Sequence, residues 1–194
     1  MLALPPPVEV TLRDGRNCLI RPAAPEDFVG LFELERAIVR ARHGVVKHED
    51  ELPGDVASYA DVQVRAGLAA TDGSACQLVA ELEGRVVGEA SILRLRFRMV
   101  NHVGVLGIGV LPGAQGLGIG RAMIEHLLAW ARSHRDADGG GVRKVELGVR
   151  ADNLKAVELY RALGFVVEGT RRGLVRADDG TFVDSLSMAL FIPR

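Results

Sequence analysis

Apolar side chains recur along this chain with a spacing that switches between two residues and about 3.6, and the switches mark out its elements. Val8 to Leu12 and Asn17 to Ile20 flank Asp14-Gly15, a strong local hairpin signal, so the chain opens on paired strands that Arg21-Pro22 ends. Pro25-Glu26-Asp27 suits a helix start, and the stripe Phe28, Leu31, Phe32, Leu34, Ile38 carries that helix to about Ala41. Leu52-Pro-Gly54 restarts the chain into a second helical pattern through Val56, Tyr59, Ala60 and Val64. From Cys76 the period falls to two, with Leu78, Ala80 and Leu82, a turn at Glu83-Gly84-Arg85, and an antiparallel return from Val86 to Leu95.

Leu106, Ile108 and Val110 then alternate with small residues in a buried strand that Pro112 ends. A helical stripe follows from Ile119 through Met123, Ile124, Leu127, Leu128 and Ala131, with Asp136 to Gly141 as its exit. Val145, Leu147 and Val149 predict a strand parallel to the earlier one, because a helix separates them. Asp152 is expected to cap a helix beginning near Asn153, and Gly164 fits the left-handed position past its end. Phe165 to Thr170 and Phe182 to Leu190 read as two closing strands with Asp178-Asp-Gly180 near their turn. The order of elements is that of a mixed α/β fold.

Between the buried strand and the long helix lies Gln115-Gly116-Leu117-Gly118-Ile119-Gly120. Glycines on alternate residues remove every Cβ that would hold a ligand off the main chain, at the point where the first helical N–H groups lack partners. Such a corner suits an anion, most simply a phosphate. It is neither the dinucleotide fingerprint, which spaces its glycines differently, nor a P-loop, since Arg121-Ala122 follow where Lys-Ser/Thr is required.

Composition narrows the partners. The formal net charge of −1 offers no field for nucleic acid or anionic lipid, and no apolar run is long enough to span a membrane. Cys18 and Cys76 have no metal-ligand spacing, so no metal is expected, and a reducing, cytoplasmic setting fits. The length of 194 residues predicts one domain over 1–194, with 1–7 a flexible tail stiffened at Pro5-Pro-Pro7.

Ile108-Gly-Val110, Pro112, the Gln115 to Gly120 corner and Arg121-Ala122 resemble the acyl-CoA motif of the GNAT superfamily of N-acetyltransferases. Asn153 to Phe165 is similar to that family's next helix, in the correct order and at the correct separation. The resemblance implies a mixed, centrally splayed β-sheet flanked by helices, and acetyl-CoA as co-substrate. By the same likeness, the diphosphate is held by main-chain N–H groups of Gln115, Gly116, Leu117, Gly118, Ile119, Gly120 and Arg121, with Asn153 a further cofactor contact. The pantetheine arm would lie along Ile108, Gly109, Val110 and Leu111 as an added strand does, where Gly107 and Gly109 leave room. N–H groups of that strand would polarise the thioester carbonyl.

Two proton transfers must also be served. An alkylamine with a pKa near ~10.4 is only about one part in a thousand neutral at pH 7, so a base is expected. Family members often carry a glutamate on the central strand, whereas Val103 to Val110 contains no acid. Glu89, His102 and Asp184 are the substitutes, with Glu89 placed in the catalytic set. Tyr160 occupies the family's general-acid position for the leaving thiolate.

On the acceptor side, Arg42, His43, Lys47, His48, Glu49 and Glu51 are candidates to contact the amine, a solvated loop being the plainer reading. Arg94, Arg96 and Arg98 share a strand face and could meet phosphates, or simply face water. The expected activity is acetyl transfer from acetyl-CoA directly to an amine, as a small-molecule acceptor, with a homodimer left open. A protein N-terminal or lysine acetyltransferase, a non-catalytic acyl-CoA-binding module and a structural protein with an empty corner are the competing readings.

Overall fold

A computed structural model of the chain describes residues 4–42, 44–68, 72–135 and 140–193. Eight strands and four helices follow in the order β1 (Val8–Thr11), β2 (Asn17–Pro22), α1 (Phe28–Arg40), α2 (Val56–Ala66), β3 (Ala75–Leu82), β4 (Arg85–Arg94), β5 (Val103–Val110), α3 (Ile119–Ser133), β6 (Lys144–Arg150), α4 (Leu154–Ala162), β7 (Val166–Arg176) and β8 (Phe182–Phe191). All eight strands join one sheet in the order β1-β2-β3-β4-β5-β6-β8-β7, and every pairing is antiparallel except β5 with β6. The mixed α/β architecture expected from the pattern is the one found.

The α3 stripe becomes the main core. Ile119, Met123, Ile124, Leu127, Leu128 and Ala131 are all buried against Leu78, Ala80, Ala90 and Ile92 of β3 and β4. Each large side chain so removed from water contributes about 2 kcal/mol before ordering entropy is subtracted. A smaller core lies across the sheet, where Leu31, Phe32 and Leu34 of α1 and Tyr59 of α2 close over Val79. Phe32 and Tyr59 pack their rings 5.8 Å apart. Arg21 and Asp27 fasten the entry to α1 through two parallel bonds of 2.7 Å, with Glu81 accepting a third from the same guanidinium at 3.0 Å.

Pairing between β5 and β6 covers only Val103 to Val105 against Lys144 to Glu146. Beyond that point β5 stays paired with β4 as far as Val110, and β6 with β8 as far as Arg150. The sheet therefore splits down its centre, and the edges facing the split have no strand between them. Hydrogen-bonding groups on such an edge call for a partner.

Several local expectations change. Strand β7 continues to Arg176, well past Thr170. Asn153 itself caps α4, accepting from the Ala156 N–H at 3.3 Å, while Asp152 pairs with Arg150. Within the expected tail Pro5 is buried, and the His126 ring nitrogen lies 2.8 Å from the Pro6 carbonyl oxygen. His43 and residues 136–139 of the helix exit lie outside the described residues.

Candidate active site

The two halves of the sheet part beside the glycine corner, and the space between them is a cleft of about 570 Å³. Its walls are Ile108, Gly109 and Val110 of β5, the corner residues Gln115, Gly116, Gly118 and Gly120 with Arg121, and Asn153, Ala156, Leu159 and Tyr160 of α4 and its cap. Ten of the positions expected from the sequence thus meet in one cavity. Leu117 and Ile119 do not line it: Ile119 is fully buried in the main core and Leu117 packs against that core, so only their main chains are free to serve a ligand.

The direction of the β5 main chain follows from one bond. Leu111 N–H donates to the Val87 carbonyl on β4 at 2.8 Å. Main-chain groups alternate sides along a strand, so the odd-numbered residues address β4 while Ile108 and Val110 turn theirs into the split. The Val110 carbonyl accepts from the Gln115 side-chain amide at 3.0 Å, which folds the corner back onto the strand end. Gly109 serves packing as much as ligand space, since a Cβ there would come within 2.7 Å of Ile38 on α1.

The corner is held from outside by the β1–β2 turn. The Arg13 guanidinium donates to the Gly116 carbonyl at 3.2 Å, and Arg13 N–H donates to the Leu117 carbonyl at 3.1 Å. In a planar trans peptide the N–H points opposite to the C=O, so the amides of Leu117 and Gly118 face away from Arg13. Gly116 and Gly118 both have left-handed backbones, with φ of 79° and 101°, and a Cβ built on either meets nothing within 4 Å. Arg13 also lines the cleft, as do Lys155 and Arg121, so three cations border a set of open amides at a helix start.

Tyr160 is 7% exposed and packs edge-on against Phe165 with ring centroids 5.9 Å apart. Burial pushes its hydroxyl up to about 12. Among the described residues that hydroxyl has no hydrogen-bond partner, although the ring borders the cleft.

Of the three proposed bases, only Glu89 stands beside the cleft-lining stretch of β5. It pairs with Gly109 across the β4–β5 ladder and faces the α1–α2 side. Burial raises its carboxyl above the ordinary range, only partly offset by hydrogen bonds from Gln77, at 3.1 Å, and Ser91. His102 lies at the closed end of the split, where its carbonyl accepts from Arg143 and Lys144. Asp184 is engaged by the Gly173 N–H at 2.8 Å and braces the β7 bulge.

A family model for the acetyltransferase (GNAT) family matches residues 40–165. The chain belongs to that family. N-alpha-acetyltransferase RimI of Mycobacterium tuberculosis is 44% identical over 93 residues, covering 48% of this chain and 53% of that protein. L-amino acid N-acetyltransferase AaaT of Escherichia coli is 30% identical over 113 residues, covering 58% of this chain and 66% of that protein. The chain spans about half to two thirds of the length of these two relatives. Among solved structures, a GNAT-family acetyltransferase from Streptococcus pneumoniae superposes with a TM-score of 0.80 at 25% identity, covering 90% of this chain and 99% of that one. Ribosomal-protein-alanine N-acetyltransferase from Brucella melitensis does so with a TM-score of 0.71 at 28% identity, covering 89% and 99%.

Within this GNAT frame some expected contacts fall elsewhere. Arg94 is buried and donates to the Asn101 carbonyl at 2.8 Å, fastening the β4–β5 loop at the end of β4 away from the corner. Arg42, Lys47, His48 and Glu49 line a second cavity beside the cleft, and Glu51 instead caps the preceding turn by accepting from the His48 N–H. Arg13, Ile38, Lys155 and Leu159 line the cleft without having been picked out from the sequence. Lys155 carried a legible signal, a cation in the first turn of the motif helix. The docking of Arg13 carried none.

Proposed function

We propose that the chain transfers an acetyl group from acetyl-CoA directly to an amine. The observation that carries this reading is the β5 main chain at the split, where the Ile108 N–H and C=O and the Val110 N–H have no strand partner, running straight into a corner whose Leu117 and Gly118 amides face away from Arg13. An extended amide-bearing arm supplies what such an edge lacks, and a diphosphate what the corner lacks. The three bordering cations suit the phosphates, and about 570 Å³ accommodates the arm and its thioester end.

In this reading Gln115 through Arg121 hold the diphosphate through main-chain N–H groups, and Ile108 to Val110 hold the pantetheine. The Val110 or Ile108 N–H stabilises the negative charge that builds on the thioester oxygen during attack. Glu89 takes the amine's proton, directly or through water, as the C–N bond forms. Tyr160 donates its proton to the departing sulfur as the C–S bond breaks. Asn153 orders the start of α4 and so the placing of Tyr160, rather than acting on the phosphates alone.

The acceptor is a small-molecule amine in the first reading, and the resemblance to AaaT, named as an amino acid acetyltransferase, favours it. A protein α-amine is the second reading, favoured by the 44% identity to RimI. Both make the same experiment decisive: thiol release from acetyl-CoA over amino acids, simple amines, polyamines and peptides with free N-termini. Turnover with any of them supports acetyl transfer, and the preferred class separates the two readings. Cofactor binding with no release across the whole panel would favour a binding module instead.

A further inference from the structure

A second cavity, of about 240 Å³, lies beside the cofactor cleft and shares Val45 with it. One wall comes from the end of α1 and the stretch after it, the other from Arg150 on β6 and the tip of the β7–β8 hairpin. Val39, Val46, Val175 and Ala177 supply apolar surface, with Val175 buried. Its charge is uneven. Arg40, Arg42, Lys47, Arg150 and Arg176 line it against only two carboxylates, Glu49 and Asp178. Glu49 is taken by Arg36 and Arg40, and Asp178 by Arg42 with His48 nearby, while Lys47 binds Glu35 at 2.6 Å. Arg150 binds Asp152 at 2.6 Å and the Val45 carbonyl at 3.1 Å, which ties the cavity's edge to the cofactor side. Arg176 also lines the cavity, and its side chain has no hydrogen-bond or ion-pair partner among the described residues.

With the other four cations each paired to a carboxylate, the charge left over at the cavity is that of Arg176, which disfavours an ammonium group and attracts an anion, and a guanidinium with all its donors free matches a carboxylate in a two-bond fork. We infer that this cavity holds a carboxylate of the acceptor, with Arg176 as its principal partner, so that the acceptor is an amine that also bears a carboxylate. The amine end then extends past Val45 into the cleft, toward the Glu89 side. The assignment of the amine end rests on the acetyl-transfer reading, while the anion site rests on the cavity alone.

Matched acceptors test it: amino acids against their amides, and short peptides with an acidic or an uncharged second residue. The expected result is that loss of the carboxylate raises acceptor KM at least tenfold while acetyl-CoA KM stays put. Arg176→Glu should erase that preference, and Arg176→Lys should restore part of it. Preference among free amino acids identifies the α-carboxylate as the source, and preference confined to acidic peptides identifies a side chain. Equal kcat/KM within every pair, or indifference to Arg176→Glu, overturns the inference. Titration of glutarate into the cofactor-free protein separates the two layers. If coenzyme A fails to bind while glutarate binds and weakens at least tenfold in Arg176→Glu, acetyl transfer falls and the anion site stands. If coenzyme A binds normally but glutarate does not distinguish Arg176→Glu from wild type, only the anion site falls.

Discussion

Glu89 stands directly opposite Gly109 across the β4–β5 ladder, one strand in from the split edge that Ile108 and Val110 present. The carboxylate that the family often carries on the central strand is missing from β5, and its neighbour strand places one against the same stretch. Burial raises the Glu89 pKa, and the sign fixes the pH dependence. A base must be unprotonated, so the rate should climb with pH through a limb lying above the ordinary glutamate value of ~4.3. Glu89→Gln should lower kcat by about a hundredfold or more and abolish that limb. A raised folded-state pKa also means that wild type loses stability as pH rises through it, so Glu89→Gln should melt higher than wild type at pH 8, with the gap closing toward pH 4. A pH profile unchanged by the substitution would remove Glu89 from the reaction.

Tyr160 makes an independent prediction. With its hydroxyl near 12 it stays protonated across the working range, so no falling limb below about pH 11 should belong to it. Tyr160→Phe keeps the edge contact with Phe165 and removes only the proton donor. Thiol release should slow at least ~10-fold while coenzyme A affinity changes little. Rapid-quench kinetics beside a binding titration reads both numbers, and a fall in affinity with kcat intact would make Tyr160 a packing residue.

Arg13 lies outside the matched family region, yet it holds two of the corner's carbonyls. Arg13→Ala removes the guanidinium bond to Gly116 but leaves the main-chain bond to Leu117. One partly exposed charged hydrogen bond is worth about 1 kcal/mol, so the KM for acetyl-CoA should rise roughly fivefold with kcat unchanged. Steady-state kinetics at saturating acceptor measures this. No change would show that the corner keeps its orientation without the hairpin.

The Arg21–Asp27 fork concerns stability alone. Asp27 is 7% exposed and also accepts from the Ala24 N–H at 2.8 Å. Asp27→Asn leaves the Arg21 charge half-buried against Glu81 only, and should cost about 3 kcal/mol in chemical denaturation. A loss under ~0.5 kcal/mol would mean that Glu81 compensates.

The sequence made the elements legible wherever one face is buried. The α3 stripe and the alternation in β3, β4 and β6 were readable because burial enforces periodicity. Strand β7 escaped past Thr170 because it is an edge strand with Arg171 and Arg172 exposed, so no apolar period marks its length. The glycine corner was legible because it is local. Which acid stands near β5 was not, because it depends on cross-strand register between Glu89 and Gly109. Arg176 and the hairpin contact of Arg13 were hidden for the same reason: each is brought to its site by residues more than a hundred positions away.

The central claim is that amides of the Gln115 to Gly120 corner bind the diphosphate of coenzyme A. Calorimetric titration of coenzyme A into wild type and Gly118→Leu tests it most directly, because Gly118 has a left-handed backbone and open space where its Cβ would stand. Circular dichroism on both proteins establishes that the variant is folded. Saturable one-to-one binding to wild type and its loss in folded Gly118→Leu is the predicted result. Equal affinity in the two proteins, or no binding to either, would contradict it.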